Sequence, residues 1–214
     1  MITIGKVSSA KKSKIKRLLD ILISFTLLIL LFPLFLLFSF LIKLDSKGPV
    51  IFKQKRLGKN GKSFTIYKFR SMYLGSPDLR NSDGSTYNSP NDQRLTKVGR
   101  FLREWSLDEL LELFNVFMGD MSLVGPRPDQ IDQIKLYIKK EKKRLSVNPG
   151  ITGWAQLHGR NKIPWSKRKQ LDLEYIENYS LFLDIKILIN TLFYVLKRKD
   201  IFITENCNKY VFPF

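Results

Sequence analysis

Two adjacent carboxylates, Asp108 and Glu109, open a helix-like run within Ser106 to Pro128, SLDELLELFNVFMGDMSLVGPRP. Carboxylates of this kind can handle protons, hold a divalent cation or attack phosphorus. Like charges raise each other's pKa, so a pair that stays ionised beside anionic phosphates needs cations close by. Candidates are Arg100 and Arg103 on the approach, Arg127 in Pro-Arg-Pro, Lys68 and Arg70 on a strand-like segment, and Arg160 further on. Arginine suits bidentate phosphate contact. Ser106 fits a helix N-cap, and Glu109, three residues on, completes a capping box. Leu110, Leu113, Phe114 and Phe117 then recur at helical spacing and predict one buried face. Capping leaves Asp108 unexplained.

Several elements must position these groups. Ser63 to Met72, SFTIYKFRSM, alternates as a half-buried strand, with Phe64, Ile66 and Lys68 on one side. Before it, Lys43 to Lys62 is a basic connector with turns at Gly48-Pro49 and Asn60-Gly61. Gly75 to Asp92, which carries Arg80, is rich in Ser, Asn, Asp, Gly and Pro and reads as a mobile loop, either a lid or an idle insert. Asp129 to Ser146 predicts a charged helix with Ile131, Ile134, Tyr137 and Ile138 on one face. Asn148 to Asn161, NPGITGWAQLHGRN, reads as a glycine-rich loop, and Asp172, Tyr175 and Tyr179 fall on a further helix. From Asp184 to Lys199 an apolar stripe of Ile185, Leu188, Ile189, Leu192, Phe193 and Leu196 ends in Lys197, Arg198 and Lys199. Such a helix either lies in a membrane interface or packs on the core.

Composition narrows the chemistry. The chain has 214 residues, 44% of them hydrophobic, which supports one domain of ordinary size. Its formal charge of +18 points to anionic partners, among which nucleic acid, membrane surfaces and phosphorylated small molecules all qualify. One cysteine, Cys207, excludes an intrachain disulfide and a cysteine-rich zinc site. One histidine, His158, leaves a Ser-His-Asp machine a single possible base, and that residue reads as a loop residue. A Walker A loop is absent, because Arg56 stands where its first glycine belongs.

Ile21 to Ile42 holds no charged residue. As a straight helix it would extend roughly 33 Å, enough to cross a bilayer core of about 30 Å. Pro33 lies near its middle, where it breaks the hydrogen-bond ladder and kinks the helix. Basic residues flank both ends: Lys11, Lys12, Lys14, Lys16 and Arg17 before, and Lys43, Lys47, Lys53, Lys55 and Arg56 after. If both flanks obey the positive-inside rule, the segment enters and returns on one side; a straight span is the alternative.

The Ser106–Pro128 string closely resembles the signature of the bacterial sugar transferase family, the small monotopic phosphoglycosyl transferases typified by the initiating enzyme of Campylobacter protein N-glycosylation. The PGITGWAQ block matches that family too, and the resemblance covers roughly Lys16 to Lys199. The family's re-entrant hairpin is usually broken at Ser-Pro, whereas this chain has Phe32-Pro33. The resemblance implies an α/β, mostly helical protein with an N-terminal re-entrant membrane hairpin and a small cytosolic catalytic domain with interfacial amphipathic helices. The boundaries would be 1–47 for the basic N-terminus and hairpin, 48–199 for the catalytic domain and 200–214 for the tail.

It also implies transfer of a sugar-1-phosphate from a UDP-sugar to undecaprenyl (polyprenyl) phosphate, as the first membrane step of a glycoconjugate or polysaccharide. Asp108 would be the nucleophile, with UMP released and a covalent aspartyl-phosphosugar formed. Glu109 would help hold Mg²⁺, together with Asp108, or handle protons. Lys68, Arg70, Arg103, Arg127 and Arg160 would bind substrate phosphate, and Asp172 is a further site candidate. The expected location is the bacterial inner membrane, among its lipids, with the catalytic domain on the cytoplasmic face. A rival reading, a membrane-tethered basic adaptor for anionic polymer or nucleic acid, explains the charge but not the DELLELFNV and PGITGWAQ blocks. No nucleic-acid partner is therefore expected.

Overall fold

The protein is described by a computed structural model covering residues 4–89, 91–197 and 210–211. The side chains of Lys11 and Lys12, all of Arg198, Lys199 and Cys207, and most of the 200–214 tail lie outside those described residues. The fold is mixed α/β and about half helical.

Helix α1 (Ile4–Leu30) and helix α2 (Phe32–Asp45) share the apolar N-terminal segment. They meet at a 59° bend, and among the described residues no single helix is long and apolar enough to cross a membrane. The break falls at Leu31, so Pro33 sits in the first turn of α2, where its missing N–H costs no hydrogen bond. One side of the bent pair joins the core: Phe35, Phe38 and Ile42 pack with Phe69, Leu102 and Leu111. The other side stays uncovered, with Phe25, Leu30, Phe32, Leu36, Phe40 and Leu44 each at least half exposed.

Strands β1 (Ile51–Leu57) and β2 (Ser63–Phe69) form an antiparallel hairpin in which Gln54 faces Ile66. Strand β3 (Leu79–Arg80) pairs antiparallel with β6 (Tyr210–Val211), and β4 (Ser122–Val124) pairs parallel with β5 (Gly150–Thr152). Backbones in β4 and β5 approach so closely that a Cβ on Gly150 would lie 2.1 Å from the nitrogen of Gly125. Glycine is required there, and the contact fixes Pro126-Arg127-Pro128 just beyond β4.

The remaining helices are α3 (Lys97–Glu104), α4 (Glu112–Met118), α5 (Trp154–Leu157), α6 (Trp165–Glu177) and α7 (Leu181–Leu196). A second core cluster joins β2, α4, α6 and α7 through Phe64, Ile66, Leu113, Val116, Tyr175 and Ile187.

Three local expectations change. The charged stretch after Asp129 is not one α-helix but two 3₁₀ segments, Ile131–Leu136 and Glu141–Ser146, with Ile131 and Ile138 exposed. The loop expected to be mobile is packed: Arg80, Asn81, Ser85 and Asp92 are all buried. Arg80 is held by Asp78 at 2.6 Å and also by Gln130, so the polar residues that signalled a loop instead satisfy one another inside it. The glycine-rich Asn148–Asn161 stretch holds β5 and α5 rather than only loop.

Candidate active site

The capping box is not formed. Ser106 lies at φ 56°, a left-handed conformation, and makes no cap hydrogen bond; a 3₁₀ turn, Leu107–Leu111, precedes α4. The tighter turn changes the helical phase. As a result Leu111, Glu112, Asn115 and Val116 face inward with Leu113, while Phe114 and Phe117 face outward toward the bent helix pair. Phe117 stacks on Phe25 at 5.8 Å and Phe114 meets Phe35 at 6.5 Å.

Asn115 fastens this unit to β2. It accepts the Tyr67 N–H at 3.1 Å and donates to the Thr65 carbonyl at 2.7 Å, so it satisfies backbone groups on the strand's free edge. That registration brings Lys68, on the same face as Phe64 and Ile66, to the carboxylates. Its Nζ lies 2.7 Å from Glu109 Oε1 and 3.0 Å from Glu112 Oε1. Arg127 reaches Glu109 from the other side, with Nη1 3.1 Å from Oε2 and Nη2 on Oε1. Arg160 stands 3.8 Å from Glu109 and donates to the Ser106 hydroxyl at 3.0 Å. Both partners in that last contact hold left-handed backbones, Ser106 at φ 56° and Arg160 at φ 46°. Non-glycine residues persist in that region only where the surroundings enforce it.

The two expected carboxylates therefore occupy different settings. Burial pushes the Glu109 carboxyl upward, but Arg127 and Lys68 outweigh it and hold the group well below the usual range. Asp108 is buried too, yet its carboxylate accepts no hydrogen bond and makes no ion pair among the described residues. Burial, then the charge of Glu109, raise its pKa, against the pull of Lys68, Arg103 and Arg127. Arg103 donates to Ser71 at 3.0 Å and adds positive field without touching either acid.

All of these groups line one cleft of about 910 Å³. Part of its wall is the packed loop, through Pro77, Asp78, Ser85 and Tyr87. Arg127 keeps 37% of its side chain exposed, so it remains open to a ligand while paired. Among the described residues no group of three or more His, Cys, Asp or Glu side chains is arranged to hold a metal ion.

Two expected site residues stand apart. Strand β2 ends at Phe69, so the alternation that would set Arg70 beside Lys68 stops one residue short. Arg70 touches the cleft wall, but its guanidinium binds the carbonyls of Lys47 at 2.6 Å and Ser46 at 2.7 Å. It closes the end of α2, where free carbonyls attract cations. Asp172 does not line the cleft; it is buried against Arg144 at 2.7 Å. His158 is exposed at the end of α5, with Nδ1 on the Trp154 carbonyl.

Sequence reasoning passed over Glu112, Arg56 and Arg168, all of which line the cleft. Glu112 is 1% exposed, and burial raises its pKa to about 7 against the pull of Lys68. The signal was there: Glu112 follows Glu109 by three residues, the spacing that shares a helical face.

Known proteins resemble this chain closely. The bacterial sugar transferase family model matches residues 11–198. An uncharacterized sugar transferase of Bacillus subtilis, EpsL, is 46% identical over 187 residues, covering 87% of this chain and 90% of that protein. The UDP-glucose:undecaprenyl-phosphate glucose-1-phosphate transferase of Klebsiella pneumoniae is 45% identical over 186 residues, 83% of this chain but only 39% of its own length. The undecaprenyl-phosphate galactose phosphotransferase of Salmonella typhimurium is 41% identical over 202 residues, and this chain spans 42% of it. The chain belongs to the bacterial sugar transferase family and is an enzyme of that family.

Proposed function

We propose that the chain is a phosphoglycosyl transferase that moves a sugar-1-phosphate from a UDP-sugar to undecaprenyl phosphate, with Asp108 as the nucleophile. The observation that carries this is the contrast within the carboxylate pair: Glu109 holds Lys68 and Arg127, while Asp108 lies beside them, buried and unpartnered. A carboxylate without partners is free to attack phosphorus. One Asp108 oxygen forms a bond to the sugar-bearing phosphorus, and the bond to the other phosphate breaks, releasing UMP with the electron pair. An oxygen of undecaprenyl phosphate then attacks the same phosphorus and frees Asp108.

Neither step requires a proton from Glu109, whose carboxyl is held ionised. Its part is to hold Lys68, Arg127 and Arg160 where charge spreads over the phosphoryl oxygens. Magnesium fits a site of one or two carboxylates completed by substrate phosphates, and would neutralise phosphate charge there. Asp108 is open to it; Glu109 would have to release a cation first.

The membrane reading is re-entry of the α1–α2 pair from the cytoplasmic face of the inner membrane. In support, both arms are keyed into the same domain. On α1, Lys16 pairs with Asp184 at 2.7 Å and Asp20 accepts the Leu123 N–H at 3.0 Å. At the end of α2, Asp45 accepts the Val98 N–H at 2.9 Å. A straight span would carry residues 16 to 20 away from these partners. On α7 the stripe Ile185, Ile189, Leu192, Phe193 and Leu196 is exposed, which favours an interfacial helix over core packing.

The test is full-length protein in lipid nanodiscs with undecaprenyl phosphate and a panel of UDP-sugars. UMP release with one sugar is expected. Without the lipid acceptor, a mass increase of one sugar phosphate should map to Asp108. An adduct on another residue, or turnover in Asp108→Asn, would favour direct transfer between the two substrates.

A further inference from the structure

Two cations in the cleft make no ion pair among the described residues. Arg168, in the first turn of α6, makes no side-chain hydrogen bond or ion pair among the described residues, and its Nε is buried without a partner. Arg56, on β1, donates to Gln54 at 2.6 Å and more weakly to the Pro128 carbonyl at 3.4 Å, and its Nε is likewise buried and unpartnered. Asp129 and Asp83 favour the Arg168 charge from beyond ion-pair distance, and each is bonded elsewhere. Asp129 is taken by Arg144 and the Tyr137 hydroxyl. Asp83 accepts the backbone N–H of Trp165 at 3.0 Å and of Ser85 at 2.9 Å. Burial lowers the pKa of both arginines, Arg56 to about 10 with help from the charge of Arg127. A half-buried charge without an ion-pair partner is costly, so an anion supplied by a ligand would relieve it.

Both arginines line the same cleft as Asp108 but lie outside the Lys68–Arg127–Arg160 group that Glu109 holds. A UDP-sugar brings two phosphates, of which only one is attacked. As the bond between them breaks, negative charge grows on the other, which departs carrying about −1.5 to −2. Cations preorganised at that second position stabilise the departing group.

We infer that Arg56 and Arg168 form a second anion subsite in the cleft, which takes the phosphate of the departing nucleoside monophosphate. This rests on the UDP-sugar reading above. The experiment measures equilibrium binding of UMP and, separately, of pyrophosphate to the full-length protein in nanodiscs. Arg168→Gln and Arg56→Gln should each weaken UMP binding by about tenfold or more, the size of a lost charge-assisted contact. Lys143→Gln removes the same charge at an exposed surface pair and should change it less than about twofold. Arg168→Lys, which keeps the charge but loses the fork, should fall between. The melting temperature of Arg168→Gln should hold or rise, because a half-buried cation without an ion pair is removed; a purely structural arginine would lower it. UMP affinity untouched in both glutamine variants overturns the subsite while leaving the transferase reading in place. Arginine-dependent pyrophosphate binding with no UMP binding does the reverse: the subsite stands and the uridine donor falls.

Discussion

Two buried charge networks sit side by side in this molecule, one closed and one open. In the closed network Arg144 meets Asp129, Asp172 and the Tyr137 hydroxyl, and also donates to the Arg127 carbonyl at 3.3 Å. In the open one, at the cleft, and among the described residues, Asp108 has no partner, Glu112 has only its ion pair with Lys68 at 3.0 Å, and Arg56 and Arg168 keep an unpartnered Nε. A satisfied buried network stabilises and orients; an unsatisfied one is tolerated only where a ligand completes it. The closed network is thus read as the support on which Arg127 stands, and the open one as the place where chemistry is proposed.

Asp108→Asn breaks the open side most directly. Activity should fall by about 10⁴-fold or more, as for lost nucleophiles in general, with stability unchanged or improved. A clear drop in melting temperature would instead place Asp108 among the supports. Arg144→Met should do the opposite, costing about 3–5 kcal/mol of stability by stranding Asp129 and Asp172. Denaturant unfolding measures this, and a cost below 1 kcal/mol would mean that the closed network does not support the fold.

Arg127 belongs to both regions, through its backbone to Arg144 and its side chain to Glu109. Arg127→Ala should lower turnover by about 10²–10³-fold, the size of a missing transition-state donor. Chelation of magnesium should abolish turnover reversibly; full activity in chelator would remove the metal from the proposal. The exposed Lys143 is the control, since Arg80 in the packed loop is itself buried and paired.

Glu112 gives the smallest and most pH-specific effect. Its folded pKa of about 7 exceeds the ordinary value of 4.5. Between those values the folded protein holds the extra proton, so stability falls as pH rises toward 7 and is level above. Glu112→Gln should flatten that slope and stabilise the protein at pH 8 by up to about 3 kcal/mol. Equal melting temperatures for the two proteins at pH 8 would show that Lys68 alone neutralises Glu112.

Patterns with a short range were legible in the sequence. Period-2 alternation placed Lys68 with Phe64 and Ile66, and that face does meet the acids. The proline break in the apolar segment appears within two residues of Pro33. The α7 stripe was visible, and the structure leaves it exposed except at Leu188, which packs on the core. Less was legible where a distant partner intervenes. Ser106 and Glu109 spell a capping box, but Arg160, 54 residues away, takes the serine hydroxyl, and Arg127 and Lys68 take the glutamate. Charged contacts of that kind outweigh a local cap. Arg70 was grouped with the site by strand alternation and Asp172 by the family resemblance, and each is bound by a partner that no spacing rule reveals.

By itself, then, the sequence determined the adjacent acids, the surplus of cations, the broken apolar segment and the family resemblance, because each is a property of neighbouring residues. Only the tertiary structure decided which cations are spent and which remain free, and which of the two acids is left without a partner. That outcome depends on the 3₁₀ turn, on the close approach of β4 and β5, and on Asn115 holding α4 to β2. Each of these joins residues far apart in the chain, and burial raises the energy of every charge left unmatched there.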